Sequence, residues 1–161
     1  MLDSKSAIID SSLKITESSH ILACDVGLKR IGLAQCTQGI VLPLPAIVRK
    51  NRNQASRELS ALLVKKQIEV LVVGLPSGGQ AQHQDMIVRI KHFVGLVAFD
   101  GQIVYVDEDY TSQEALEDLA HLGREARALA QKDGRLDSLS ACYILERYLQ
   151  SLECVLSSPN P

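Results

Sequence analysis

Residues 20–36 read HILACDVGLKRIGLAQC. The apolar run over 20–26 predicts a strand that carries a carboxylate, Asp25, at its far end and stops at Gly27. A tight turn at Gly27-Leu28-Lys29 returns the chain into a second strand over 30–36. Residues 40–48 (IVLPLPAIV) are apolar again but contain Pro43 and Pro45. Proline cannot donate to a ladder, so this third strand belongs at a sheet edge. Together the three runs predict an antiparallel meander.

Beyond the meander the periodicity changes. Over 53–67, Leu59, Leu62, Leu63 and then Ile68 recur at helical spacing among charges. Residues 69–75 (EVLVVGL) are continuously apolar, as in a strand buried on both faces. Pro76 and Gly78-Gly79 end that run, and 81–97 return to a helical pattern with Met86, Ile90, Phe93 and Val94 on one face. A short strand over 102–106 leads to Asp107-Glu108-Asp109. Ser112 is placed to cap a helix reaching about residue 121. A last helix spans about 135–152, with Leu136, Leu139, Ile144 and Leu145 as its core residues. The expected order is β-β-β-α-β-α-β-α-α. It describes an α/β domain with a mixed five-stranded sheet, a three-stranded antiparallel meander plus two parallel strands, and helices on both faces.

The 161 residues suit one domain, placed at 20–152 between a flexible N-terminal extension (1–19) and a flexible C-terminal tail (153–161). The apolar patch Ala7-Ile8-Ile9 is too short for a signal peptide. No run approaches the roughly 20 apolar residues of a membrane span, so the expected location is cytoplasmic, with no membrane partner. Cys24, Cys36, Cys142 and Cys154 form no CxxC pair and read as buried thiols rather than a zinc site. Aromatics are 4% of the chain, with no Trp, which leaves little for base stacking. Net charge is only −2, but its distribution is uneven. Lys29 to Lys66 holds eight Lys/Arg and one acid, whereas Asp100 to Glu125 holds eight acids and one base. That asymmetry fits a basic phosphate-binding face beside an acidic metal site, and equally two solvated surfaces of opposite sign.

Three acids stand where chemistry is expected. Asp25 ends an apolar strand, where a carboxylate needs a partner, although aspartate also serves strand-end turns. Asp107, Glu108 and Asp109 lie at the end of a parallel strand, the end at which α/β sheets build sites. Their mutual repulsion would be relieved by a cation, yet acids there also suit the N-terminus of a following helix. Asp137 falls in the first turn of the last helix, a position that the helix dipole alone explains. Taken together, acids from two strand ends and a helix can converge on one cleft whose oxygen donors suit Mg²⁺ or Mn²⁺. Such ions activate water for attack on a phosphodiester and stabilise the leaving 3′ oxygen. None of the four histidines stands in an HExxH arrangement. Lys29 and Arg30 are placed to hold a phosphate beside the metal. Arg49, Lys50, Arg52 and Arg57 either extend that track or form a solvated basic face.

At four places, in order, the chain resembles the YqgF (RuvX) family: Asp25-Val26-Gly27-Leu28-Lys29-Arg30-Ile31-Gly32-Leu33-Ala34; Val72-Val73-Gly74-Leu75-Pro76; Val106-Asp107-Glu108 with Thr111-Ser112 and Glu114-Ala115; and Leu136-Asp137-Ser138-Leu139-Ser140-Ala141 with Ile144-Leu145 and Tyr148-Leu149. The resemblance spans about residues 20–150. It implies an RNase H-like fold and a metal-dependent nuclease. The assigned roles are 5′-end maturation of pre-16S ribosomal RNA, in ribosome biogenesis, or Holliday junction resolution in DNA recombination. It implies Asp25, Glu108 and Asp137 as catalytic acids and metal ligands, with Asp107 as a further ligand. The implied partner is nucleic acid, either structured RNA in ribosomal precursor particles or branched DNA. A monomer suffices for the first; a symmetric homodimer is needed for the second. Where the family places Arg after Asp-Glu, this chain has Asp109, which reverses a charge and favours the rival reading of a non-catalytic RNA- or protein-binding module. The loop after Pro76 is also shorter than the family's. An actin-like ATPase, whose phosphate turn is similar, needs a second lobe that 161 residues cannot supply.

Overall fold

The computed structural model describes residues 20–76, 81–108 and 138–157, with the side chains at 81, 82, 108 and 154–157 outside that description. Five strands form one sheet: β1 (Ile21–Val26), β2 (Arg30–Thr37), β3 (Ile40–Val48), β4 (Val70–Pro76) and β5 (Gln102–Glu108). Their spatial order is β3-β2-β1-β4-β5. The first three pair antiparallel, whereas β4 runs parallel to β1 and β5 parallel to β4. The described helices are α1 (Arg52–Lys65), α2 (Ala81–Leu96) and α3 (Leu139–Ser157). The meander, the two parallel strands and the edge position of the proline-bearing β3 all stand as expected. The expected helix over 112–121 lies outside the described residues.

Local chemistry accounts for the turns. The β2–β3 hairpin closes through two residues, Gln38 and Gly39, with φ of 55° and 77°. Positive φ at both central positions gives the twist that a two-residue hairpin requires. At the β1–β2 turn the Gly27 N–H donates to the Arg30 carbonyl at 2.9 Å. A Cβ at residue 27 would stand 2.6 Å from that oxygen, so only glycine fits. Helix α1 begins with a capping box: Asn51 Oδ1 accepts from the Gln54 N–H at 2.8 Å, and Gln54 Oε1 accepts from the Asn51 N–H at 3.3 Å.

Side-chain alternation along the central strands separates two cores. Leu22, Cys24, Val26, Leu71 and Val73 pack with Leu59, Leu63, Ile90 and Phe93, beneath α1 and α2. Ile21, Ala23, Ala34, Val70 and Val72 pack with Ala141, Ile144 and Leu145 of α3. The second core is built on small residues where α3 crosses. Ala23 and Ala34 are directly opposed across β1 and β2, and both are fully buried, as is Ala141. Alanine at all three points lets the helix backbone sit close to the sheet. Among the described residues α3 spans Leu139–Ser157 and runs five residues beyond the expected end at 152; the expected first residues, 135–137, lie outside that description.

Cys24 and Cys36 are buried free thiols, whereas Cys142 is only half-buried, against expectation; the Cys154 side chain lies outside the described residues. Burial, and then the neighbouring Asp25 charge, push the Cys24 thiol up, so it stays protonated and inert. Placing a larger side chain under α3 tests how closely the helix sits. Ala34→Leu is expected to cost about 1–3 kcal/mol by overpacking, read from urea denaturation. An unchanged urea midpoint would mean that the interface has room the structure does not show.

Candidate active site

Asp25 is the penultimate residue of the central strand and is half-buried. Its neighbours Ile21 and Ala23, at the same strand parity, belong to the core beneath α3. Its cross-strand partner is Gly32, which contributes no side chain beside it. From the first turn of α3, the Ser140 hydroxyl donates to Asp25 Oδ2 at 2.5 Å. This contact joins residues 115 apart in sequence and sets the carboxylate's orientation.

The start of α3 is itself pinned. Ser138, immediately before the helix, is fully buried. Its Oγ accepts from the Leu33 N–H at 2.9 Å and donates to the Leu44 carbonyl at 2.6 Å. Leu33 and Leu44 are ladder partners at the point where the β2–β3 register shifts. One hydroxyl thus bridges β2 and β3 at an irregularity and satisfies backbone groups on both strands.

The other expected residues fall as follows. Position 108 is in register with Pro76 at the C-terminal end of the parallel pair. It has the strand parity of Val104 and Val106, which pack in the α3 core; its side chain lies outside the described residues. Asp107 has the opposite parity, shared with the exposed Ile103 and Tyr105, and is exposed. The two strands therefore bring positions 25 and 108 to one face and leave Asp107 on the other. Asp137 and Asp109 lie outside the described residues, although Asp137 directly precedes the anchored Ser138. Lys29 and Arg30 are exposed at the β1–β2 turn, and Arg30 has the parity of Gly32, on Asp25's face. Among the described residues no three His, Cys, Asp or Glu side chains gather as a metal site. Asp25, the one strand-end acid on the α3 face whose side chain is described, offers hard carboxylate oxygen of the kind Mg²⁺ and Mn²⁺ take.

The RuvX family model, described as Holliday junction resolvase, matches residues 19–151. The chain belongs to the RuvX family. A relative from Helicobacter hepaticus, named "Putative pre-16S rRNA nuclease", is 61% identical over 131 residues, covering 81% of this chain and 95% of its own. One from Campylobacter jejuni with the same name is 50% identical over 128 residues, covering 79% and 95%. Among solved structures, the fowlpox virus resolvase in complex with Holliday junction DNA matches with a TM-score of 0.50 at 14% identity, covering 83% of this chain and 98% of that one. At that identity the likeness concerns the fold, which is RNase H-like. No helix among the described residues of this RuvX family member is long and apolar enough to cross a membrane.

Sequence reasoning gave no role to Ser138 or Ser140. Their signal was two hydroxyls at the start of an otherwise apolar helix, a pattern that reads as ordinary capping. On the opposite face of the sheet the structure forms a second feature at the same end. A cleft of about 440 Å³ is lined by the β1–β2 turn, Arg49, Arg52 and residues of α2 between Met86 and His92. Arg49 donates from Nη1 to the Gly27 carbonyl at 2.5 Å and lies over the Phe93 ring, 5.1 Å from its centroid. Lys50 and Arg57 do not line this cleft.

Removing the bridge tests the anchoring of α3. Ser138→Ala leaves a buried N–H and a buried carbonyl without their partner and is expected to cost about 2–4 kcal/mol in urea denaturation. A cost below about 0.5 kcal/mol, the scale of an ordinary surface substitution, would show that the bridge does not hold the helix.

Proposed function

We propose that this RuvX family member is a metal-dependent nuclease that hydrolyses phosphodiester bonds in precursor 16S ribosomal RNA, at its 5′ end. The observation that carries the reading is Asp25: a half-buried carboxylate at the end of the central strand, oriented by Ser140, on the face that position 108 shares. Strands two apart in a sheet are separated by roughly 10 Å. An aspartate on one and a glutamate on the other span such a gap when they share an ion. In this reading Asp25, Glu108 and Asp137 hold Mg²⁺ or Mn²⁺, and Asp107 stands outside the ligand set. The ion, when bound, supplies Lewis acidity that activates water and stabilises the leaving 3′ oxygen. The chain's own residues do the rest. Ser140 fixes the orientation of Asp25, Ser138 holds the start of α3, and Lys29 and Arg30 steady the scissile phosphate.

Relatives at 61% and 50% identity carry the ribosomal RNA name, which supports RNA as the substrate and ribosomal precursor particles as the setting. The family description supports a second reading, resolution of four-way DNA junctions, in which the chain acts as a homodimer. RNA processing needs only a monomer, working in the cytoplasm where ribosomes are assembled.

The deciding experiment offers purified protein a pre-16S 5′-leader RNA and a four-way DNA junction, each with Mn²⁺ or with EDTA, beside Asp25→Asn. Metal-dependent cutting of the RNA is expected. The variant should keep its fold and lose at least about a hundredfold in rate, because metal-stabilised charge is worth several kcal/mol in the transition state. Cutting of the junction alone would favour the second reading. Cutting of neither by folded, metal-supplied protein would overturn the nuclease and leave a binding module.

A further inference from the structure

The cleft on the α1/α2 face is the least explained feature of the molecule. Leu28, Arg49, Arg52, Met86, Arg89 and His92 line it, so its charged groups come from three separate elements. Its volume, about 440 Å³, is in the range of ligand-binding pockets. Arg49, Arg52 and Arg89 place three permanent positive charges around one concavity. Among the described residues, no ion pair joins any of them to a carboxylate. Cations crowded without a counter-charge repel one another, and that arrangement is favourable when an anion completes it.

Two details sharpen the case. Arg49 is held in place by the Gly27 carbonyl and the Phe93 ring, so its guanidinium is pre-organised at the cleft rather than free to sweep through solvent. Burial, and next the charge of Arg52, hold it below the ordinary arginine value. Arg52 is the first residue of α1, a helix with no acidic residue in its first turn. A cation there faces the positive end of the helix dipole, an unfavourable position unless an anion is bound nearby. The cleft also has a defined relation to Asp25. Val26 lines it, and Asp25 and Val26 are consecutive residues whose side chains project to opposite faces of the sheet.

We propose that this cleft is a phosphate subsite for nucleic acid, binding the backbone of a single-stranded segment that passes over the β1–β2 turn from the Asp25 face. A strand cut at Asp25 would then be gripped within a few nucleotides of the cut by Arg49, Arg52 and Arg89. Duplex is too stiff to make that turn, so the subsite favours a substrate that is unpaired beside the cleavage point. The position relative to the cut rests on the nuclease reading; the binding itself does not.

The test is anisotropy with a fluorescent single-stranded RNA in EDTA, where no cutting occurs, across a series of salt concentrations. Arg49 is left intact because it also braces the turn. The Arg52→Gln/Arg89→Gln double variant, which changes two exposed side chains, is expected to bind roughly tenfold more weakly at low salt. Its slope of log affinity against log salt should fall by about 1.4, roughly 0.7 for each lost contact to a single strand, as fewer counterions are released. Lys50→Gln/Arg57→Gln, which removes equal charge outside the cleft, should keep affinity within about twofold and leave the slope unchanged. Equal weakening by both pairs would overturn the subsite in favour of a diffuse basic face. Undiminished binding by Arg52→Gln/Arg89→Gln would overturn it outright. Because this measurement involves no cleavage, the subsite can fail while Asp25-dependent cutting stands, or hold while cutting is absent.

Discussion

The placement of α3 depends on one hydroxyl. Ser138 Oγ bridges the Leu33 N–H and the Leu44 carbonyl where the β2–β3 register shifts. Without that bridge the irregularity would leave polar backbone groups buried and unpaired, at about 1–3 kcal/mol each. With it, the start of a helix distant in sequence is locked to the meander. Ser140, two residues on, is thereby delivered to Asp25. The alanines at 23, 34 and 141 make the same docking possible from the packing side, because larger side chains would lift the helix away. A local fault in one strand pair and the Ser140–Asp25 contact on the next strand are thus parts of a single constraint.

The pleat then divides labour at the C-terminal end of the sheet. Consecutive residues on β1 face opposite ways, so Asp25 serves the α3 side while Val26 lines the basic cleft under α1 and α2. The β1–β2 turn lies between these two environments. Gly27 makes the turn narrow enough, and its carbonyl receives Arg49 from the far side. A polyanion held at this end would meet the Asp25 carboxylate on one face and the cleft arginines on the other.

Much of this was legible in the sequence, for identifiable reasons. Continuous apolar runs marked β1 and β4, and Pro43 and Pro45 forced β3 to an edge, because these signals are local and backbone-based. Asp25 stood out because a charge at the end of a buried strand needs a reason. Strand alternation separates consecutive residues, and position 107 stands on the other face from Asp25. What could not be read was produced by packing across long sequence separations. Nothing near Ser138 announces a bond to Leu33, 105 residues away. The basic run between Lys29 and Lys66 gave no means of separating Arg49 and Arg52 from Lys50 and Arg57, because the choice is made by α2, which brings Arg89 and His92 alongside.

If docking of α3 assembles Asp25, Glu108 and Asp137 into one metal centre, the three must depend on each other for metal and not merely lie near it. Thermal melting with and without saturating Mn²⁺, on the full chain and on Asp25→Asn, Glu108→Gln and Asp137→Asn, measures this directly. Ligand that binds only the folded state at a hundred times its dissociation constant adds about 2.7 kcal/mol, a rise of several degrees for a chain of this size. The expected result is that rise in the parent protein and its loss in each of the three variants. A full rise retained by Glu108→Gln or Asp137→Asn, or no rise in the parent, would contradict a shared centre.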